Sequence, residues 1–443
     1  MTARNVSRRT VLQAAGLSAA AFALPSYATA SPANRAGFRD LYARPGVLRP
    51  RGADQPPIGV WGYEGAVPGP LIRIRRGEEV KVRLSNALPE PTLIHWHGVR
   101  LPNAMDGVPD LTQAPVNPGD SFEYRFKALD AGTFWYHAQT ASSAQLERGL
   151  YGVLIADELA TIDVDKDLVL VLDDWRLTDG NPGSSPAQDS NQSGAADLLT
   201  ANSEQNLTIP ARPNDRIRLR LLNATHGRLM PVSIPNVKAW VMAIDGQPAE
   251  PFVARGNRVV LAPGNRIDLF VDVPDSSGSV PILVDNGVQP VAVARIVSEG
   301  TRRTRLPDEP KPLPANPLPS RINLKSALRL DVSLDSGMPA KFRSLADRPA
   351  SDPPLFSVQR GRPVVLAFIN GAASPSVMHL HGHHFRLLDN LDDGWKPFWF
   401  DTLLLAPRQT SRIAFVADNP GKWMIRCGML GVRPDIGAWF EVN

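Results

Sequence analysis

One strand-and-turn pattern occurs three times in this chain, at the interval of a whole domain. Gly77 to Asn86 reads GEEVKVRLSN, Asn214 to Asn223 reads NDRIRLRLLN, and Gly361 to Asn370 reads GRPVVLAFIN. Each is an alternating segment closed by asparagine. A turn and a second alternating segment follow each time: Pro118-Gly119-Asp120 before SFEYRF, Pro263-Gly264-Asn265 before RIDLFV, and Pro407-Arg408-Gln409 before TSRIAF. The three prolines lie 145 and 144 residues apart. Apolar side chains at every second position mark half-buried strands, so the repeating unit reads as a Greek-key β-sandwich. With 42 prolines and 34 glycines, the chain suits short strands and tight turns, and its 43% hydrophobic and 21% charged residues allow a real core. A coiled coil and a disordered chain are both excluded. The predicted organisation is a domain over 37–158, a second over 159–299, a proline-rich connector over 300–321 and a third domain over 322–443. The polar segment 179–205 reads as a surface loop of the second domain.

The formal charge of +4 says little about partners. Arg4, Arg8 and Arg9 fall in the first thirty residues, which carry no acid, and the remainder is nearly neutral. No electrostatic footprint for nucleic acid is present. Residues 1–30 read as an export signal. Ser7-Arg8-Arg9-Thr10-Val11-Leu12 resembles the twin-arginine motif, an apolar run from Val11 to Leu24 follows, and Ala28-Thr29-Ala30 offers a cleavage site. That run is shorter than the ~20 residues of a membrane-crossing helix, so no stable membrane span is expected. The protein is therefore expected to engage the twin-arginine export machinery and to be periplasmic or otherwise exported. Cys427 is the one cysteine, so no internal disulfide forms and stability must come from the core.

Seven of the eight histidines fall in the first and third repeats. His95-Trp96-His97-Gly98 begins nine residues after Asn86, and His379-Leu380-His381-Gly382 begins nine after Asn370; the second repeat has Val232 at that offset. Alternate residues of a strand share a face, so each His-x-His projects two imidazoles to one side, roughly 6–7 Å apart. Imidazole is the commonest neutral ligand of copper and zinc, and two such pairs at one offset point to a metal site. A third element, Gly132 to Gln139, aligns with Gly421 to Gly428, placing His137 against Arg426 and Gln139 against Gly428.

With these motifs the chain resembles a multicopper oxidase of the three-cupredoxin type over essentially all of its mature length. Matching stretches are Val67-Pro68-Gly69-Pro70, the His-Trp-His-Gly box, Asp106-Gly107-Val108-Pro109, Leu150-Tyr151-Gly152, Asp245-Gly246 with Pro251, Leu261-Ala262-Pro263-Gly264, His379 to Phe385, Asp401-Thr402 and Asn419-Pro420-Gly421. The resemblance implies three cupredoxin-like sandwiches, a three-copper cluster between the first and third domains, and a separate blue copper in the third. Carried over by position, His95 and His379 would hold the type 2 copper. Of the six type 3 positions, His97, His137 and His381 keep histidine, whereas Gln139, Arg426 and Gly428 do not. Asp106 matches the proton-relay carboxylate. At the blue site Cys427 remains, Ser376 and Val432 stand where histidines belong, and the stretch near Gly437 and Ala438 offers no thioether. His383 matches a histidine that orients the cluster; His226 and His384 fall outside the ligand pattern and read as surface or core residues.

These losses bear on the chemistry. In the family, electrons run from the blue copper through the cysteine and its flanking histidines to the cluster, where dioxygen becomes water. Arg426 and Gly428 remove that bridge. A permanent cation about 4 Å from a metal ion costs roughly 4 kcal/mol per unit charge at an effective dielectric near 20, so one or two coppers are expected rather than four. Three readings follow: a copper-binding oxidoreductase with reduced or altered activity toward a small-molecule or metal-ion substrate, a non-enzymatic periplasmic scaffold, and a working oxidase with replacement ligands such as Gln139 and Met429.

Overall fold

The computed structural model describes residues 37–140, 144–175, 177–178, 181–182, 198–304, 308–334, 343–344, 352–388, 395–430 and 436–443. The proposed export signal and Val432 lie outside these residues.

The three repeated segments take the same place in three β-sandwiches. The strands Glu79–Asn86, Arg216–Asn223 and Pro363–Asn370 each run antiparallel to the strand that follows their turn, namely Ser121–Lys127, Arg266–Asp272 and Gln409–Val416. Each also runs parallel to its domain's leading strand: Arg39–Leu48, Lys166–Trp175 and Leu328–Ser333. The closing asparagines explain themselves. Asn86 donates its side-chain amide to the carbonyls of Glu90 and Val116, Asn223 to Arg228 and Leu261, and Asn370 to Ser374 and Leu405. Their side-chain oxygens accept from the backbone N–H two residues on, at Leu88, Thr225 and Ala372. One buried amide thus pins each turn.

The first domain pairs two four-stranded sheets, the second a six- and a five-stranded sheet, and the third a five- and a six-stranded sheet. One continuous apolar core runs through the first and third sandwiches, including Leu84, Trp96 and Tyr136 with Phe368, Trp423 and Phe440. The second domain packs a separate core around Leu219, Leu221 and Leu269. The first and third domains therefore meet directly. The connector threads between domains: Asn316 accepts from the N–H of Ala131 and donates to the carbonyl of Ala131 and the side chain of Gln247.

Two expectations need correction. The far end of the predicted loop 179–205 is the strand Leu198–Ala201, whose side chains pack inward at the edge of the six-stranded sheet. And the strand Arg216–Asn223 is buried on both faces, arginines included. Its polar face meets carboxylates rather than water: Arg218 pairs with Glu158 and Asp268, and Arg220 with Asp167 and Asp268. No described helix is long and apolar enough to cross a membrane.

Candidate metal centre

Two strand pairs frame the site. In the first domain Ile94–His97 runs antiparallel to Gly132–Ala138, with His95 opposite His137 and His97 opposite Trp135. In the third, Ser376–Leu380 lies between Gly421–Met429 and Thr402–Leu405, with His379 opposite both Arg426 and Thr402. The sequence-assigned His95, His97, His137, His379 and His381 converge and are all buried. The rings of His97 and His379 stack at 3.6 Å and those of His95 and His381 at 3.9 Å between centroids, so both stacks cross the domain boundary.

The hydrogen bonds of these rings share one pattern. His95 Nδ1 lies 2.8 Å from the carbonyl of Asp106, and His379 Nδ1 lies 2.9 Å from that of Asp401. His137 Nδ1 faces its neighbour's carbonyl at Ala138, 2.9 Å away, His97 Nε2 the Thr402 hydroxyl at 2.8 Å, and His381 Nδ1 the Asp106 carboxylate at 2.9 Å. Each ring donates its N–H to an oxygen, which leaves the other nitrogen as a bare lone pair. Those lone pairs face one another. His95 Nε2 and His379 Nε2 are 3.2 Å apart, and His97 Nδ1 and His137 Nε2 are 3.4 Å apart. His381 Nε2 is buried with no hydrogen-bond partner among the described residues. Lone pairs so close repel unless a proton or a cation lies between them. Two metal–nitrogen bonds of about 2.0–2.1 Å span such a gap at a near-tetrahedral angle, and ring N–H groups committed to protein oxygens are the usual support of metal-ligating histidines. The donor set therefore fits a metal ion. His95, His97 and His379 form one group with ligand atoms within 4.8 Å, and His95, Asp106 and His381 form another.

Electrostatics keep the rings ready. Burial, aided by neighbouring imidazoles, holds His97 and His137 well below their ordinary range and pushes His381 down to about 3. Burial alone would raise Asp106, but the His381 and His95 imidazoles outweigh it and keep the carboxylate ionised.

The support comes from Asp245, Asp401 and Thr402, which sequence reading matched to the family without giving them a role, and from Arg266, which it did not single out. Arg266, from the second domain, grips Asp401 with both guanidinium arms. Asp401 in turn lies 3.4 Å from His97 Nε2 and 3.5 Å from His379 Nδ1. Arg266 holds Asp401 ionised against the cost of burial, whereas Asp245 beside it is pushed up to about 7 by burial and by Asp401. Asn265 donates to Asp245, and Asp245 accepts from the backbone of Asp401 and Thr402. Two glycines make room. At Gly98, with φ of +81°, a Cβ would meet an Arg266 nitrogen at 2.2 Å, and at Gly264 it would meet His97 Cε1 at 2.9 Å. The Asp-Thr and Pro-Gly-x-Arg motifs were the available signals.

The remaining positions divide by face. Val377, His379, Arg426 and Gly428 line a cavity of about 70 Å³ with His97, His137 and Gln139. Ser376 and Cys427 are buried on the opposite face, Cys427 inside the apolar core, and Met378 stands opposite it. This donor pair does not fit a blue copper. Asp106, at the end of a short 3-10 turn, supports both His95 and His381. His383 and His384 are buried beside the cluster, and His384 lies 3.6 Å from Asp401. His226, read as a surface or core residue, is half-buried and lines the cavity from the second domain.

Three sandwiches with an imidazole cluster between the first and third define a three-domain cupredoxin protein. Models of the multicopper oxidase family match residues 51–160 and 322–433. Lac15 from a marine microbial metagenome is 34% identical over 91% of this chain and 99% of its own, with a TM-score of 0.79. A multi-copper oxidase from Pseudomonas thermotolerans is 33% identical over 91% and 98%, with a TM-score of 0.80. Multicopper oxidase MmcO of Mycobacterium tuberculosis is 29% identical over 84% of this chain and 81% of its own length. Copper resistance protein A of Escherichia coli is 30% identical over 45% and 40%. The chain belongs to the multicopper oxidase family, whose cofactor is copper.

Proposed function

We propose that this protein is exported and binds one or two copper ions between its first and third domains, with oxidoreductase activity reduced or altered relative to four-copper relatives. One observation carries this reading: five buried imidazoles each spend one nitrogen on a protein oxygen and turn the other inward, in pairs 3.2 and 3.4 Å apart. His95 with His379, and His97 with His137, would hold the ions, and His381 supplies a fifth lone pair. Copper bound there offers one-electron chemistry and an acidic centre for a water or small ligand. Asp106 orients His95 and His381 and is placed to pass a proton to the site. Thr402 and Asp401 fix the rings of His97 and His379. No electron route runs through Cys427, because its sulfur is packed in the core and Ser376 replaces a ligand. The domain limits given above, the twin-arginine signal at 1–30, a small-molecule or metal-ion substrate and the absence of nucleic-acid partners belong to the same proposal.

Elemental analysis with paramagnetic resonance on the purified mature protein tests it. One or two coppers per chain with nitrogen hyperfine structure are expected. Absence of copper after reconstitution supports the scaffold reading, and four coppers with rapid oxygen consumption support replacement ligands.

A further inference from the structure

A cleft on the seam between the first and third domains carries charge that the histidine cluster does not use. Arg100, Lys127 and Leu129 of the first domain and Arg360, Asp418 and Pro420 of the third line a cavity of about 600 Å³. Small-molecule sites run from ~300 to 1,000 Å³, so the cleft has room for a ligand of ten or more heavy atoms. It shares no described lining residue with the cavity beside the histidines.

Arg100 is about nine-tenths buried. Its Nε and Nη2 grip the two oxygens of Asp130 at 2.8 and 2.6 Å, and Nη2 also reaches the Pro317 carbonyl at 3.4 Å. Nη1 is left over. It points toward Asp418, whose Oδ2 lies 3.8 Å away and beyond hydrogen-bond distance. A guanidinium N–H so placed calls for an acceptor. The other two cations are also unspent. Arg360 donates Nε to the Asp418 carbonyl at 3.0 Å and commits neither of its outer nitrogens, and Lys127 forms no ion pair among the described residues. Asp130 neutralises Arg100 from behind and Asp418 offsets one of the remaining cations, so the cleft keeps an excess of one positive charge. Beside these groups lies apolar surface: Leu129 is 48% exposed, with Pro102 and Pro420 next to it in the lining.

We propose that this cleft binds a monocarboxylate carried on an apolar body of about the size of benzoate, its carboxylate between Arg100 and Arg360 and its body against Leu129 and the two prolines. The planar fork of arginine matches a carboxylate, the excess of one charge sets a monoanion, and covering Leu129 withdraws apolar surface from water. None of these residues belongs to the proposed metal centre, so the two sites stand or fall separately.

Calorimetric titration of benzoate into the purified protein, in low-chloride buffer, tests this. Saturable one-to-one binding is expected. Arg100→Lys, which keeps the charge toward Asp130 and loses Nη1, should weaken it about tenfold, as for loss of one charge-assisted bond. Arg360→Met, Lys127→Met and Leu129→Ser should each weaken it severalfold. Asp418→Asn, which removes the one carboxylate lining the cleft, should tighten it severalfold. Acetate, which lacks the body, and benzyl alcohol, which lacks the charge, should bind far more weakly than benzoate. Arg255→Met, at an exposed site of the second domain, should bind as the wild type does. No saturable binding, full affinity in Arg360→Met, or equal affinity for acetate and benzoate each overturns the proposal. If Arg100→Lys loses its near-ultraviolet dichroism, Asp418→Asn decides, because damage to the fold does not raise affinity. Copper content of the same samples reports separately on the metal centre.

Discussion

The two strand pairs that build the site share a backbone and differ in side chains. In the first domain His95 stands opposite His137; in the third His379 stands opposite Arg426 in an equivalent antiparallel register. The first pair presents imidazoles, whereas the third carries a guanidinium at position 426 and no side chain at Gly428. The retained rings are those with an oxygen waiting for their N–H: the carbonyls of Asp106, Ala138 and Asp401, the Thr402 hydroxyl and the Asp106 carboxylate. The orienting frame thus reaches both halves, while among the positions matched to the three-copper cluster the residues other than histidine stand on the strand Gly421–Met429 and at Gln139.

The largest effect should come from removing what both halves share. Arg266 and Asp401 are fully buried, and Asp401 touches one histidine of each half. Breaking a buried pair by removing one partner costs about 3–5 kcal/mol. Arg266→Leu is expected to lower stability by that order in urea denaturation, and to weaken copper binding at both halves. Loss of copper affinity from one half alone would break the symmetry argued here.

Copper itself should tie the halves together. A ligand that binds only the folded chain stabilises it by about 2.7 kcal/mol at a hundredfold excess over Kd. Copper is therefore expected to raise the wild-type melting temperature by a few degrees and to leave a His95→Ala/His379→Ala double variant unmoved. Equal shifts in both proteins would place the metal elsewhere.

The outer face of the third-domain pair should behave as plain core. Cys427→Ser places a hydroxyl in apolar surroundings, at a cost of about 1–3 kcal/mol, and should leave copper stoichiometry unchanged. Copper-loaded wild type should show no intense blue thiolate-to-copper band. Appearance of that band, and its loss in Cys427→Ser, would mean that the two faces have not parted.

The sequence was a good guide to whatever recurs. Three asparagine-closed strands at one interval disclosed three sandwiches, and two His-x-His pairs at one offset pointed to four of the five imidazoles that meet here, His137 entering through the Gly132–Gln139 element. It was a poor guide to whatever one domain lends another. The alternation of Arg216–Asn223 reads as a half-buried strand, and nothing local marks Glu158 and Asp167 as partners of its arginines. His226 read as a surface or core residue outside the ligand pattern for the same reason: its place on the cavity wall depends on how the second domain docks. Arg266 lies two residues past the matched Leu261–Gly264 stretch and was not singled out, because its service to Asp401, 135 residues away, is a tertiary fact.

A pH scan of the metal-free protein separates the site from the rest of the molecule. His381 is depressed to about 3 and His383 and His384 to about 4, chiefly by burial. The unfolded chain takes up protons on these residues near pH 6.5, so their contribution to stability is present above that value and fades as pH falls toward 4. The alkaline side has the opposite source. Asp173, buried at the contact with Tyr151, is raised to about 8 by burial, and Asp245 to about 7. A proton held by the folded carboxyl is released on unfolding, so stability falls as pH rises, by at most about 1.4 kcal/mol per pH unit for each group. Between pH 7 and 8 the slope should come chiefly from Asp173. Asp173→Asn, which keeps the shape and can still pair with the Tyr151 hydroxyl, removes a falling slope that runs from about pH 4 to about 8, so it should flatten the melting temperature between pH 7 and 8 and steepen the acid limb. A flattened acid limb instead would mean that the two regions are not independent.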